Sequence, residues 1–205
     1  MAAAAPSEVS LAGEDRILTI PNVISFLRLA CLPLFLWLLF ARDNRAGAAC
    51  LLLAIGATDW VDGYIARRYH QVSTLGKVLD PVADRLLFFV GIGGILIDGS
   101  VAVWFAVAVL VREVLISIAT VTLALLGARR IDVTWYGKAG TFALMGAFPA
   151  FLLGASDFRW HEAATVLGWL VGIPGLLLSW YALILYVPIA IEALRVGRAD
   201  RHPQS

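Results

Sequence analysis

The stretch TDWVDGYIARRYHQVSTLGKVLDPVADR, Thr58–Arg85, carries four aspartates where one long apolar run closes and the next opens. On a helix, residues three and four apart share a face. Asp59, Asp62, Gly63, Ala66 and Arg67 therefore form one stripe of two carboxylates, two small residues and a guanidinium. Asp80 and Asp84 repeat the pattern at four-residue spacing, with Gly76 a further turn back. Pro81 leaves two readings open: Asp80 caps a helix with Pro81 in its first turn, or a helix begun near Ser73 kinks at the proline. In both, a turn of about ten residues joins two neighbouring helices and lets their acids face one another.

Around this stretch the chain is oil. Of 205 residues 60% are hydrophobic and 15% charged, and the mean hydropathy is +0.84, far from the range of a soluble domain. The expected fold is all-α, an integral membrane bundle. A net charge of +1 gives no reason to invoke nucleic acid. Cys31 and Cys50 lie in apolar runs without CxxC spacing and read as small buried hydrophobes.

Apolar stretches long enough to cross a bilayer, about 20 residues each, run roughly over 22–41, 46–66, 80–97, 101–126, 139–155 and 163–191. Six transmembrane helices are expected. Arginines and lysines concentrate in alternate connections, at Arg67, Arg68 and Lys77, then Arg129, Arg130 and Lys138, then Arg195, Arg198 and Arg201. The positive-inside rule puts those connections and both termini in the cytoplasm of a multi-pass cell-membrane protein. Residues 1–21 read as a cytoplasmic tail with either an interfacial segment or a plain linker at Ile17–Ile20, residues 22–195 as one membrane domain, and residues 196–205 as a basic cytoplasmic tail.

Four carboxylates gathered at a membrane rim must be neutralised. Two of them about 5 Å apart at an effective dielectric near 20 repel by roughly 3 kcal/mol, and Arg67 alone cannot offset four. Structural ion pairing or protonation of one or two acids are the plain alternatives. Bound Mg²⁺ or Mn²⁺ answers the count better, since both take carboxylate and phosphate oxygens. A pair of such ions serves phosphoryl transfer.

The full spacing, Asp59, Asp62, Gly63, Ala66, Arg67, Gly76, Asp80 and Asp84, resembles the signature of the CDP-alcohol phosphotransferase family, with every motif residue present. TIPNVISFLRLACLPLFL, Thr19–Leu36, is similar to that family's first helix. The resemblance implies a six-helix, usually homodimeric enzyme with a polar cavity facing the cytoplasm. It implies that Asp59, Asp62, Asp80 and Asp84 hold two divalent ions and that Asp84 is also the base for the acceptor hydroxyl. Asp62, Gly63, Ala66, Arg67 and Gly76 would then bind the CDP moiety of CDP-diacylglycerol, and CMP would leave.

Other polar residues stand out against the apolar background. Arg112 and Glu113 lie inside an apolar run, where ionisable residues default to function. Being adjacent, they point apart and are not expected to pair; Arg112 is read as a phosphate contact in the cavity, with a salt bridge to a neighbouring helix as the alternative. Lys138 and Thr141, in YGKAGT, resemble an acceptor-phosphate element of phosphatidylglycerophosphate and cardiolipin synthases; Lys138 reads equally as a membrane anchor. Asn22 and Arg28 are weaker candidates.

The acceptor is read from charge. Phosphatidylglycerophosphate synthases typically carry a second arginine eight residues after the one matched by Arg112; here that position is Thr120. Glycerol 3-phosphate carries more charge than phosphatidylglycerol, so one cation fewer favours the lipid, and a similarity to actinobacterial cardiolipin synthases points the same way. No arginine-rich segment of the inositol-phosphate branch is present. A cation transporter or channel would also need acids, but nearer the midplane than these.

Overall fold

The computed structural model describes the backbone of residues 20–69, 74–126 and 134–201, and their side chains except at 20–25, 59–69, 74–82, 124 and 195–201. Every regular element among them is helical: α1 (Ile20–Leu36), α2 (Arg45–Tyr69), α3 (Thr74–Asp98), α4 (Val103–Leu125), α5 (Trp135–Gly154) and α6 (His161–Arg201). One turn beyond Pro33, α1 passes into a π-helical segment, Trp37–Ala41. The Arg42 guanidinium lies 4.7 Å from the Trp37 ring centre, a cation–π contact that closes the end of this helix.

The helices overrun the apolar stretches on their polar sides. α3 starts at Thr74 and runs through Pro81, so Asp80 sits inside a helix and does not cap one. α5 starts four residues before its apolar run because Thr134 caps it, its hydroxyl accepting from Gly137 N at 3.3 Å. Asn44 caps α2 in the same way, its side-chain oxygen accepting from Gly47 N at 2.8 Å.

Packing is tightest between α5 and α6. A Cβ on Gly140 would stand 2.8 Å from Ser179 N, and one on Gly175 2.9 Å from the Ala143 Cβ, so these glycines let the two backbones meet, as small residues do between membrane helices. α1 packs on α2 and α3, and α2 on α5. The shared core holds Phe35, Leu39, Ile95, Phe105, Leu144 and Leu152. Phe105, Phe148, Phe151 and Trp169 form an edge-to-face aromatic group within it, with neighbouring centroids 4.9–5.9 Å apart.

Among the described residues two helices, Val103–Leu123 of α4 and His161–Leu194 of α6, are long and apolar enough to cross a membrane. Only 22% and 28% of those segments is buried within the chain, so their apolar surface faces outward, unlike the core helix of a soluble protein. Ile97, Leu125, Phe142, Leu170 and Ile184 are likewise exposed, an apolar exterior that suits lipid. Shorter apolar helical stretches cover Phe26–Ala41 and Arg45–Thr58. Cys31 is half-buried, but Cys50 is exposed; its apolar neighbours in sequence mark a lipid-facing surface, and the expectation of burial fails there.

Candidate active site

The backbone of α2 and α3 sets the frame for the four aspartates. Asp59 and Asp84 each lie ten residues from the helix end that borders residues 70–73, with Asp62 seven and Asp80 six residues away. At 1.5 Å per residue Asp59 and Asp84 stand about 15 Å from those helix ends, and Asp62 and Asp80 about 10 Å. The side chains of Asp59, Asp62, Gly63, Ala66, Arg67, Gly76 and Asp80 lie outside the described residues; that of Asp84 is described.

Asp84 is half-exposed, at 51% of its side-chain area, and forms an ion pair with Arg28 Nη1 through its Oδ1. Arg28 comes from the middle of α1 and is buried, with 5% of its side chain exposed. Its charge in an apolar helix was the signal that sequence reasoning underweighted. Burying a guanidinium among apolar side chains is costly unless it is paired. Asp84 supplies that pairing, and Arg28 adds a cation at the acidic rim that Arg67 alone could not provide.

Both residues stand at one end of a cleft of about 220 Å³ between α1, α2, α3 and α5. Thr141 of α5 lines the same cleft, and below these polar groups the walls are Leu52, Ile55, Phe88, Ile92, Met145 and Phe148. Of the expected acceptor contacts, Thr141 thus joins Asp84, whereas Lys138 is exposed and neither it nor Arg112 lines the cleft.

Arg112 is buried on α4. Contrary to expectation it does pair with its neighbour: Arg112 Nη1 donates to Glu113 Oε2 at 2.8 Å. Adjacent residues leave a helix about 100° apart, but the long arginine side chain curls back far enough to close that angle. Arg112 Nε also points to the Ser179 carbonyl on α6, at 3.4 Å.

At the C-terminal end of α3 sequence reasoning missed a second ion pair. Arg45 holds Asp98 bidentately, Nε to Oδ2 at 2.9 Å and Nη2 to Oδ1 at 3.2 Å. The Ser100 hydroxyl donates to the same carboxylate, and Arg45 Nη1 lies 2.9 Å from Asp43 Oδ1. The signal was there in an Asp at the end of one apolar run and an Arg at the start of another.

Among the described residues no group of three or more His, Cys, Asp or Glu side chains stands together as a metal site. The donor set nevertheless suits hard divalent cations. The one motif carboxylate that is described is half-exposed and lines the cleft, and the motif's other acids occur on the same two helices.

Comparison with known proteins decides what this arrangement belongs to. The profile of the family described as CDP-alcohol phosphatidyltransferase matches residues 18–196. This chain belongs to that family. A cardiolipin synthase (CMP-forming) of Streptomyces coelicolor is 40% identical over 191 residues, covering 91% of this chain and 87% of the relative. A putative cardiolipin synthase of Mycobacterium tuberculosis is 36% identical over 194 residues, covering 92% of each. A CDP-diacylglycerol–glycerol-3-phosphate 3-phosphatidyltransferase of Escherichia coli is 32% identical over 188 residues, covering 88% of this chain and 96% of the relative. Membership makes the chain a membrane-associated transferase of phospholipid biosynthesis, which the transporter or channel reading does not accommodate.

Proposed function

We propose that this chain transfers the phosphatidyl group of CDP-diacylglycerol to phosphatidylglycerol, forming cardiolipin and releasing CMP. The observation that carries the reading is Asp84, half-exposed beside buried Arg28 at the mouth of the cleft, in the last position of the matched acidic spacing. A hydroxyl of phosphatidylglycerol attacks the phosphorus that bears diacylglycerol, the bond from that phosphorus to the oxygen of CMP breaks, and Asp84 accepts the hydroxyl proton. Arg28 holds the Asp84 carboxylate in place for that transfer. Asp62, Gly63, Ala66, Arg67 and Gly76 bind the CDP moiety, with Arg67 on phosphate, and Arg112, Lys138 and Thr141 are the candidate acceptor contacts.

Asp59, Asp62, Asp80 and Asp84 are the residues that would hold two divalent ions, Mg²⁺ or Mn²⁺. When bound, these ions supply charge neutralisation to the diphosphate. The absence of arginine at Thr120 and the higher identity to cardiolipin synthases, 40% against 32%, both favour the lipid acceptor. The second reading is glycerol 3-phosphate as acceptor, favoured by the family members whose names include it.

The same reading gives six membrane crossings over 22–195, both termini and the active site cytoplasmic, and a homodimer. The alternation of basic residues supports the orientation. Single cysteines at Ser73 and Thr134 are then shielded from impermeant thiol reagents in intact cells, while one at Ser156 is labelled; the reverse pattern contradicts the topology.

The deciding assay supplies purified protein with Mg²⁺, CDP-diacylglycerol and one acceptor at a time, and identifies the lipid formed. Cardiolipin from phosphatidylglycerol, with equimolar CMP, is expected, and excess chelator abolishes it. Phosphatidylglycerophosphate as the sole product overturns the acceptor and leaves the family standing.

A further inference from the structure

The cleft is much more apolar than the chemistry at its mouth requires. Along α3 its lining residues are Asp84, Leu87, Phe88, Gly91, Ile92 and Ile95, a single helical face that extends over eleven residues, or about 16 Å. A bilayer's hydrocarbon core is about 30 Å thick, so the cleft is as long as one leaflet is deep. On α5 the lining runs from Thr141 through Met145 and Phe148 to Pro149, polar at the start of the helix and apolar further in, in the same sense as on α3. Its volume of about 220 Å³ falls below the roughly 300–1,000 Å³ of sites that enclose a whole small molecule. One chain fits; a whole lipid does not.

We infer that this cleft holds one acyl chain of the acceptor phospholipid. The inference rests on the acceptor being a lipid, as proposed above. The order of groups along the cleft matches the order along phosphatidylglycerol: Asp84 for the reacting hydroxyl, Arg28 and Thr141 for the single negative charge of the phosphodiester, then apolar walls for the chain. Glycerol 3-phosphate has nothing to place against Leu52, Ile55, Phe88 and Met145. Asp84, the base proposed for the acceptor hydroxyl, and Thr141, a candidate acceptor contact, both line this cleft, so the acceptor is the better match to this wall. Choice between acceptors is then made partly by chain burial, at a distance from the reacting atoms.

Gly91 gives a direct handle. A Cβ there would meet only Leu52 Cδ2, at 3.8 Å, an ordinary contact, so Gly91→Ala is accommodated and a longer side chain grows into the cleft. Gly91→Leu is expected to raise KM for long-chain phosphatidylglycerol roughly tenfold, the loss of about two buried methylenes, with KM for CDP-diacylglycerol unchanged. Short-chain phosphatidylglycerol is expected to be affected less, and Gly91→Ala to raise the KM for long-chain phosphatidylglycerol less than Gly91→Leu.

Because Gly91→Leu can fail to fold, the wild-type chain is tested as well. It is placed in phosphatidylcholine vesicles that contain phosphatidylglycerol with a photoreactive group at the end of one acyl chain, without CDP-diacylglycerol. Adducts on Ile55, Phe88, Ile92 or Met145 that excess unlabelled phosphatidylglycerol removes support the inference. Adducts confined to outward residues such as Leu53 and Phe142 overturn it. So does preferential labelling of the cleft by an equivalent CDP-diacylglycerol probe, which would make the occupant the donor's chain. The labelling reads binding and the product assay reads the reaction, so failure of one is distinguishable from failure of the other.

Discussion

Helix α3 carries two arginine-bound carboxylates, one near its middle and one at its C-terminal end, and the two are built differently. Asp98 is closed: 5% of its side chain is exposed, Arg45 grips both its oxygens, and Ser100 donates a further hydrogen bond. Asp84, fourteen residues earlier on the same helix and about 21 Å away, is open: 51% of its side chain is exposed and it faces a cleft. In the first pair the acid is buried and the arginine reaches it from the surface; in the second the arginine is buried and the acid is presented. A carboxylate with its lone pairs filled on all sides holds helices together. One that is half-exposed beside a buried cation can be reached by a substrate hydroxyl or a cation.

The largest expected effect therefore falls at the open carboxylate, Asp84. Asp84→Asn keeps the size of the side chain but removes the base, and turnover is expected to fall by about 10²- to 10⁴-fold, with CDP-diacylglycerol binding retained in a filter or calorimetric titration. Near-wild-type turnover would show that Asp84 is as structural as Asp98.

At the closed carboxylate, Asp98, the loss should be of stability. Asp98→Asn weakens a bidentate, charge-assisted contact, at a cost of roughly 1.5–3 kcal/mol, and lowers the melting temperature in detergent by several degrees. The specific activity of the folded fraction is expected to be unchanged. A loss of turnover without a loss of stability would break the contrast between the two carboxylates. A smaller change, Asn44→Ala, removes the cap of α2 beside Arg45 and should cost about 1 kcal/mol, read as a smaller shift of the same melting curve.

Which of these features the sequence disclosed follows from the range of the interaction. The all-helical fold and the spacing of the aspartates are local: they depend on residues three, four and seven apart on one helix, and the helices came out where the apolar runs lie. Helix ends were displaced because Thr134 and the residues from Thr74 to Leu79 continue helices beyond the apolar stretch, where capping and backbone hydrogen bonds, not hydropathy, set the limit. The pairings between helices were the hidden part. Arg28 with Asp84 and Arg45 with Asp98 are separated by more than fifty residues, and nothing in local periodicity says which arginine reaches which acid. Arg112 misled for the opposite reason: its partner is its neighbour, and helical geometry without the reach of a long side chain argued against it.

The measurement that bears most directly on the account is a competition between acceptors in one reaction. Vesicles containing CDP-diacylglycerol and phosphatidylglycerol are given Mg²⁺ and radiolabelled glycerol 3-phosphate together with the wild-type protein, and the lipids are separated. The account predicts cardiolipin as the dominant product, CMP in equal amount, and both absent with Asp84→Asn. Radiolabelled phosphatidylglycerophosphate as the dominant product would contradict it.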